Sequence, residues 1–152
     1  MTDEMAVTLV EVVSEVMEQQ AFMFADVCDG EEPETEAETF LHTRMKFEGP
    51  SCGGLSVAAP KGVCVELAAN LLGVEPDDDI AEEDSRDALG EFLNVACGQL
   101  LTALYGAGPV FKLSIPKVEA LDRTGWEALT RDEGRAMLLV DDAPVLLKLS
   151  VT

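Results

Sequence analysis

Two stretches of this chain carry apolar residues at helical spacing, and each is followed by segments whose apolar residues alternate. From Met5 to about Phe24, the residues Leu9, Val10, Val12, Val13, Val16, Met17 and Phe24 fall on one arc, with Glu11, Ser14, Glu15 and Glu18 on the other. The second stretch, DALGEFLNVACGQLLTALYG, turns Leu89, Phe92, Leu93, Ala96, Leu100, Ala103 and Leu104 to one side. A helix with a single apolar stripe must bury it against another layer, and the alternating segments supply a sheet. The expected fold is therefore α+β: an antiparallel sheet with two long helices packed on one side. EVVSEVMEQQAFMF from Glu11 aligns by pattern with EFLNVACGQLLTAL from Glu91, so a single domain over 1–152 is expected to hold two repeated halves, about 5–74 and 84–151.

The remaining boundaries follow from turn chemistry. An acidic loop runs to about Glu38, Thr39 to Phe47 alternates as a half-buried strand, GPSCGG at 49–54 turns the chain, and Leu55 to Ala59 forms a second strand. Pro60 opens a shorter helix near 61–72 that ends at Gly73. Asp84 is expected to cap the second long helix, with Asp87 three positions on completing the cap, and the helix stops at Gly106–Pro109. Strands are expected over Val110–Leu121, Gly134–Val140 and Val145–Val151. DRTGWEALTRDE between the first two is a polar connection with room for a helical turn, and Asp141 to Pro144 turns a hairpin.

Charge narrows the function. Thirty acidic residues against ten basic ones leave a formal charge of −20, which repels phosphate backbones and anionic lipid surfaces; neither nucleic acid nor membrane is an expected partner. So much acid serves solubility, and the two dense runs, from Asp29 and from Glu75, look like solvated connections. Asp77 to Asp79 offers carboxylates to a divalent cation, but without calcium-loop spacing. Cysteines at 28, 52, 64 and 97 form no CxxC pair, which points to thiols in a reducing compartment. MTDEMAV has acids where a secretory leader has bases, so the cytoplasm is the expected location. His42 is the only histidine, so a multi-histidine metal site is excluded and any histidine-based triad would have to use it.

The most informative cluster is on the second long helix. Glu91 and Asn94 lie within roughly 60° of each other around the helix axis, and Gly98 stands one turn beyond. Asparagine is a poor helix-interior residue, and a glycine beside it lets another surface approach. A carboxamide both donates and accepts hydrogen bonds without bringing negative charge, so it suits holding a water in line with a phosphorus atom. Asp87, one turn before Glu91, is read first as a helix cap.

The run Asp87-x3-Glu91-x2-Asn94 resembles the signature of the CheC/CheX/FliY chemotaxis phosphatases, and Pro116 stands at about the place where that family carries a proline after the asparagine. NVACGQL, VFKLSIPKV and GGLSVAAPKGVCVELAANLLG look like CheX in particular, and the similarity extends from about Val7 to Val151. The resemblance implies a CheC-like pseudo-two-fold repeat and hydrolysis of the aspartyl phosphate of a CheY-like response regulator. Glu91 would anchor a lysine of the regulator and Asn94 would position the water, with Asp87, Gly98 and Pro116 supporting the motif or the partner contact. The Mg²⁺ would belong to the regulator, so no cofactor or metal of the chain's own is implied. It further implies a homodimer with one site per chain, because the first helix carries Glu11 and Ser14 where a second motif would stand. Relatives that serve in flagellar assembly leave a non-catalytic interaction module as the other reading.

Overall fold

The computed structural model describes residues 2–28 and 34–152; residues 29–33 of the first acidic run lie outside the described residues. The elements are α1 (Asp3–Ala21), β1 (Ala25–Val27), β2 (Phe40–Glu48), β3 (Gly53–Pro60), α2 (Lys61–Leu72), α3 (Asp79–Tyr105), β4 (Lys112–Leu113), β5 (Lys117–Leu121), α4 (Arg123–Thr130), β6 (Arg135–Val140) and β7 (Ala143–Val151). The strands form one open antiparallel sheet in the order β1-β6-β7-β3-β2, with β4 and β5 both pairing along the outer edge of β2. The expected α+β class is what the chain adopts. The order is also symmetric about the β7–β3 pair. Each half lends the strand after its long helix to the hairpin of the other half, β1 to β6 and β5 to β2.

The core lies between one face of the sheet and the helices α1, α2 and α3. Leu9, Val13 and Val16 of α1 and Phe92, Leu93, Ala96 and Leu100 of α3 pack against Leu41, Met45 and Phe47 of β2 and Leu147 and Leu149 of β7. Two residues expected in this core are elsewhere. Ala103 is exposed, on the outer side of a last turn whose Leu104 and Tyr105 pack against the core, and Cys97 and Leu101 are buried instead. Phe24 is exposed because α1 ends at Ala21: Phe22 takes a left-handed conformation, and the extended chain that follows turns Met23 inward and Phe24 outward. That chain continues as β1, a strand not read in the sequence.

The start of α3 corrects a further expectation. Asp78, not Asp84, is the cap, its carboxylate accepting from the Ile80 N–H at 3.0 Å. The second acidic run is therefore mostly helix, with Asp79 and Glu82 in the first turn, where acids complement the helix dipole. Asp84 and Asp87 lie inside the helix, where no backbone N–H is left to cap. The hairpin of β6 and β7 turns on Asp141 and Asp142 at φ 50° and 66°, the two left-handed residues that a tight two-residue hairpin loop requires. At the other hairpin, Gly53 lies so close to β7 that a Cβ there would meet the Ser150 carbonyl oxygen at 2.0 Å.

Thr43 of β2 is fully buried in this core and its hydroxyl has no hydrogen-bond partner among the described residues. Valine has nearly the same shape and no polar atom to strand. Thr43→Val is expected to stabilise the protein by about 1 kcal/mol, read as a higher urea midpoint at unchanged slope.

Candidate active site

The long helix α3 presents Asp87, Glu91, Asn94 and Gly98 at i, i+4, i+7 and i+11, a single stripe. Asp87, Glu91 and Asn94 are exposed, whereas their helical neighbours Ala88, Leu89, Phe92 and Leu93 are buried. With the capping role removed, Asp87 is a solvent-facing carboxylate one turn before Glu91.

Facing this stripe is a break in the edge strand. One strand was expected over Val110–Leu121; instead β4 and β5 are separated at Ser114–Pro116, where three residues oppose only Met45 and Lys46 of β2. Proline cannot donate to the ladder. Ser114 holds the bulge in place, its Oγ accepting from the Lys46 N–H at 2.8 Å and its own N–H donating to the Lys46 carbonyl at 2.9 Å. Pro116 thus marks the bulge that its place in a strand pattern suggests.

Helix and bulge enclose an open groove of about 490 Å³, with Asp87, Glu91 and Asn94 on one wall and Ser114, Ile115 and Pro116 on the other. Gly90 makes the approach close. A Cβ on it would stand in ordinary contact, 3.6 Å from both Pro116 Cβ and Val118 Cγ2, so alanine would fill the gap and only side chains reaching beyond Cβ toward the strand would press on it. Gly98 does not line the groove, and no atom lies within 4 Å of where its Cβ would be, so no packing within the chain requires a glycine there. Gly90, Ser114 and Ile115 were not singled out from the sequence. Only Gly90, a glycine inside a helical pattern, carried a local sign.

The chemistry available in the groove is limited and specific. Glu91 and Asn94, one turn apart, place an acid and an amide with Cβ atoms about 5–6 Å from each other. Neither histidine nor cysteine lines the groove. His42 lies on the opposite face of the sheet from α3, and burial pushes the thiols of Cys64 and Cys97 up to about 12 and about 11. Among the described residues no group of three or more His, Cys, Asp or Glu side chains converges as a metal site, and Asp78 of the acidic run is occupied as a cap. No helix of the described residues is long and apolar enough to cross a membrane. On α1, Ser14 is half-buried beside exposed Glu11, so the aligned position presents a short hydroxyl and no amide.

Solved structures share the whole architecture. CheX of Desulfovibrio desulfuricans superposes with a TM-score of 0.70 at 18% identity over 98% of this chain and 99% of its own. Borrelia burgdorferi CheX, solved in complex with CheY, BeF₃ and Mg²⁺, gives 0.65 at 14% identity over 95% of this chain and 96% of its own. Thermotoga maritima FliY gives 0.58 at 16% identity, covering 97% of this chain and 90% of its own. At these identities the likeness is one of fold. No relative of curated function matches by sequence. The family model described as chemotaxis phosphatase CheX matches residues 42–132, a segment that contains the Glu91–Asn94 stripe, the bulge and Pro116. With that match over more than half its length, the chain belongs to the CheX family of chemotaxis phosphatases.

Proposed function

We propose that this chain hydrolyses the aspartyl phosphate of a CheY-like response regulator, with Asn94 positioning the attacking water and Glu91 anchoring the regulator through a lysine. The observation that supports this reading is the pairing of an exposed acid and amide on one wall of an open groove that has neither a cysteine nor a histidine to supply or activate a protein nucleophile. An acyl phosphate needs none, since positioning of the water supplies most of the acceleration. The neutral amide approaches the phosphoryl oxygens without repulsion, and the Mg²⁺ that neutralises them comes with the regulator. Asp87 and Pro116 frame the site, and Gly98 leaves the helix open to the incoming partner. The regulator is a cytoplasmic protein, so the same reading places this chain in the cytoplasm.

The test is phosphate release from a phosphorylated regulator with this chain present in substoichiometric amount. Acceleration with multiple turnovers supports the proposal. Stable binding without acceleration makes the chain an interaction module.

Ile115 extends the reading to the partner contact. It is 86% exposed at the tip of the bulge, a large apolar side chain held out on a hydrogen-bonded support. Burying it against the regulator is worth about 1.5–3 kcal/mol. Ile115→Ser is expected to raise KM for the phosphorylated regulator about tenfold with little change in kcat or thermal stability, because it removes binding common to ground and transition states.

We also propose a homodimer, formed through an edge of the open sheet, where backbone groups are left to pair. Light scattering on the eluting protein is expected to give a mass near twice the 16.3 kDa of one chain; the single-chain mass would exclude it.

A further inference from the structure

The sheet face turned away from α1, α2 and α3 is covered by α4 at one end, where Trp126 packs with Phe40, Ala58 and Leu146. Beyond α4, one row of side chains crosses five strands on this face. Lys117 of β5 stands opposite Arg44 of β2, Arg44 opposite Ser56 of β3, Ser56 opposite Lys148 of β7, and Lys148 opposite Arg135 of β6. Lys46 follows Arg44 two residues along β2, on the same face. Half of the ten basic residues in a chain of formal charge −20 are thereby gathered in one place. The grooves over the face, the more open ones about 480 and 320 Å³, are lined by these five cations and a single carboxylate, Asp132. Asp132 contacts Lys148, and Glu119 reaches Arg44 at 3.3 Å; Lys46 and Lys117 have no ion-pair partner among the described residues.

We propose that this face binds an acidic amphipathic helix of a partner protein, with its carboxylates laid along the row. The four strand-to-strand steps span about 19 Å at the usual strand spacing, and each step is close to the ~5.4 Å pitch of an α-helix. Carboxylates at i, i+4, i+7, i+11 and i+14 of such a helix fall one above each of the five strands in turn, the i+7 carboxylate over Ser56 and the other four over cations. Gly54, Ser56 and Ser150 form a floor of small residues in the middle of the face, so the helix can settle between the long side chains on either flank. Other occupants fit less well. A second copy placed face to face would set Arg44 and Lys148 of one chain against cations of the other. A nucleic acid would carry its charge beyond the row into the field of an acidic protein. A lone phosphate finds no convergence among five cations spread over four strands. The row lies on the sheet face opposite α3 and adjoins the Glu91–Asn94 groove at the bulge, where Ser114 and Ile115 line the cavities on both sides, but it does not depend on the reaction proposed there.

The test is fluorescence anisotropy of a labelled alanine-rich helical peptide bearing glutamates at i, i+4, i+7, i+11 and i+14, titrated with the full chain at low ionic strength. Saturable binding is expected, weakened about tenfold or more by Arg44→Glu with Lys148→Glu, and weakened likewise by added salt. Lys46→Glu with Lys117→Glu is expected to act similarly and disturbs no ion pair of the fold. Absence of saturable binding would overturn the proposal, as would equal affinity of the charge-reversed proteins. Equal binding of a proline-broken peptide of the same composition would remove the helix from it. Displacement by ATP or pyrophosphate at lower concentration than the peptide would make the face a small-anion site instead.

Discussion

Replacing Asn94 with alanine is expected to slow dephosphorylation of the regulator about a hundredfold while leaving its binding nearly intact. Asn94 is exposed on α3, so the substitution removes no buried contact, and surface changes of this kind alter stability by only about 0.5 kcal/mol. On the proposed role of Asn94, the lost rate is the lost placement of water. Asn94→Asp sharpens the expectation because it keeps the shape and brings a negative charge toward an anionic phosphoryl group. It is expected to be at least as slow as the alanine variant. Glu91→Ala should fall between the unmodified and Asn94 variants and act mainly on KM, since anchoring precedes chemistry. Stopped-flow loss of the phosphorylated regulator over a range of its concentrations separates the two parameters.

The largest effect on stability is expected at Trp126. Its ring is 2% exposed and lies on Phe40 with centroids 4.5 Å apart and planes 9° from parallel. The helix that carries it, α4, has eight residues, too few to persist alone in water. It is held by Trp126, by the Asp122 cap on the Gly125 N–H, and by Arg123, whose guanidinium donates to the carbonyls of Thr35 and Ala37. Trp126→Ala is expected to cost about 3–5 kcal/mol, a large fraction of the ~5–15 kcal/mol that holds a domain folded. Urea unfolding followed by circular dichroism reads this directly. Because α4 and the groove lie on opposite faces of the sheet, kcat per folded molecule should not change.

The course of these elements shows what a single sequence makes legible. The helix at 61–72 was bounded by residues with one strong local meaning each, Pro60 at its start and Gly73 in the left-handed region at its end. The turn between β6 and β7 was expected over Asp141 to Pro144 and closes on Asp141 and Asp142 alone, with Ala143 and Pro144 already paired in β7. The start of α3 was not so marked, because Asp77, Asp78, Asp79 and Asp84 can all cap a helix, and the choice among them depends on where the helix meets the core. Strand β1 spans three residues and exists through its pairing with β6, far along the chain. The two walls of the groove differ in the same way. The Glu91–Asn94 wall is written within one helix. The opposite wall, apart from Pro116, depends on the register of β4 and β5 against β2, which no local pattern states.

The proposed mechanism places one hydrolytic site on each chain, at Glu91 and Asn94. Its most direct test is the rate of phosphate release from one phosphorylated regulator, measured side by side with the unmodified protein, Asn94→Ala and Ser14→Ala. Rapid release with the unmodified protein and with Ser14→Ala, and its loss with Asn94→Ala, is the predicted result. Release by Asn94→Ala at the rate of the unmodified protein would contradict it.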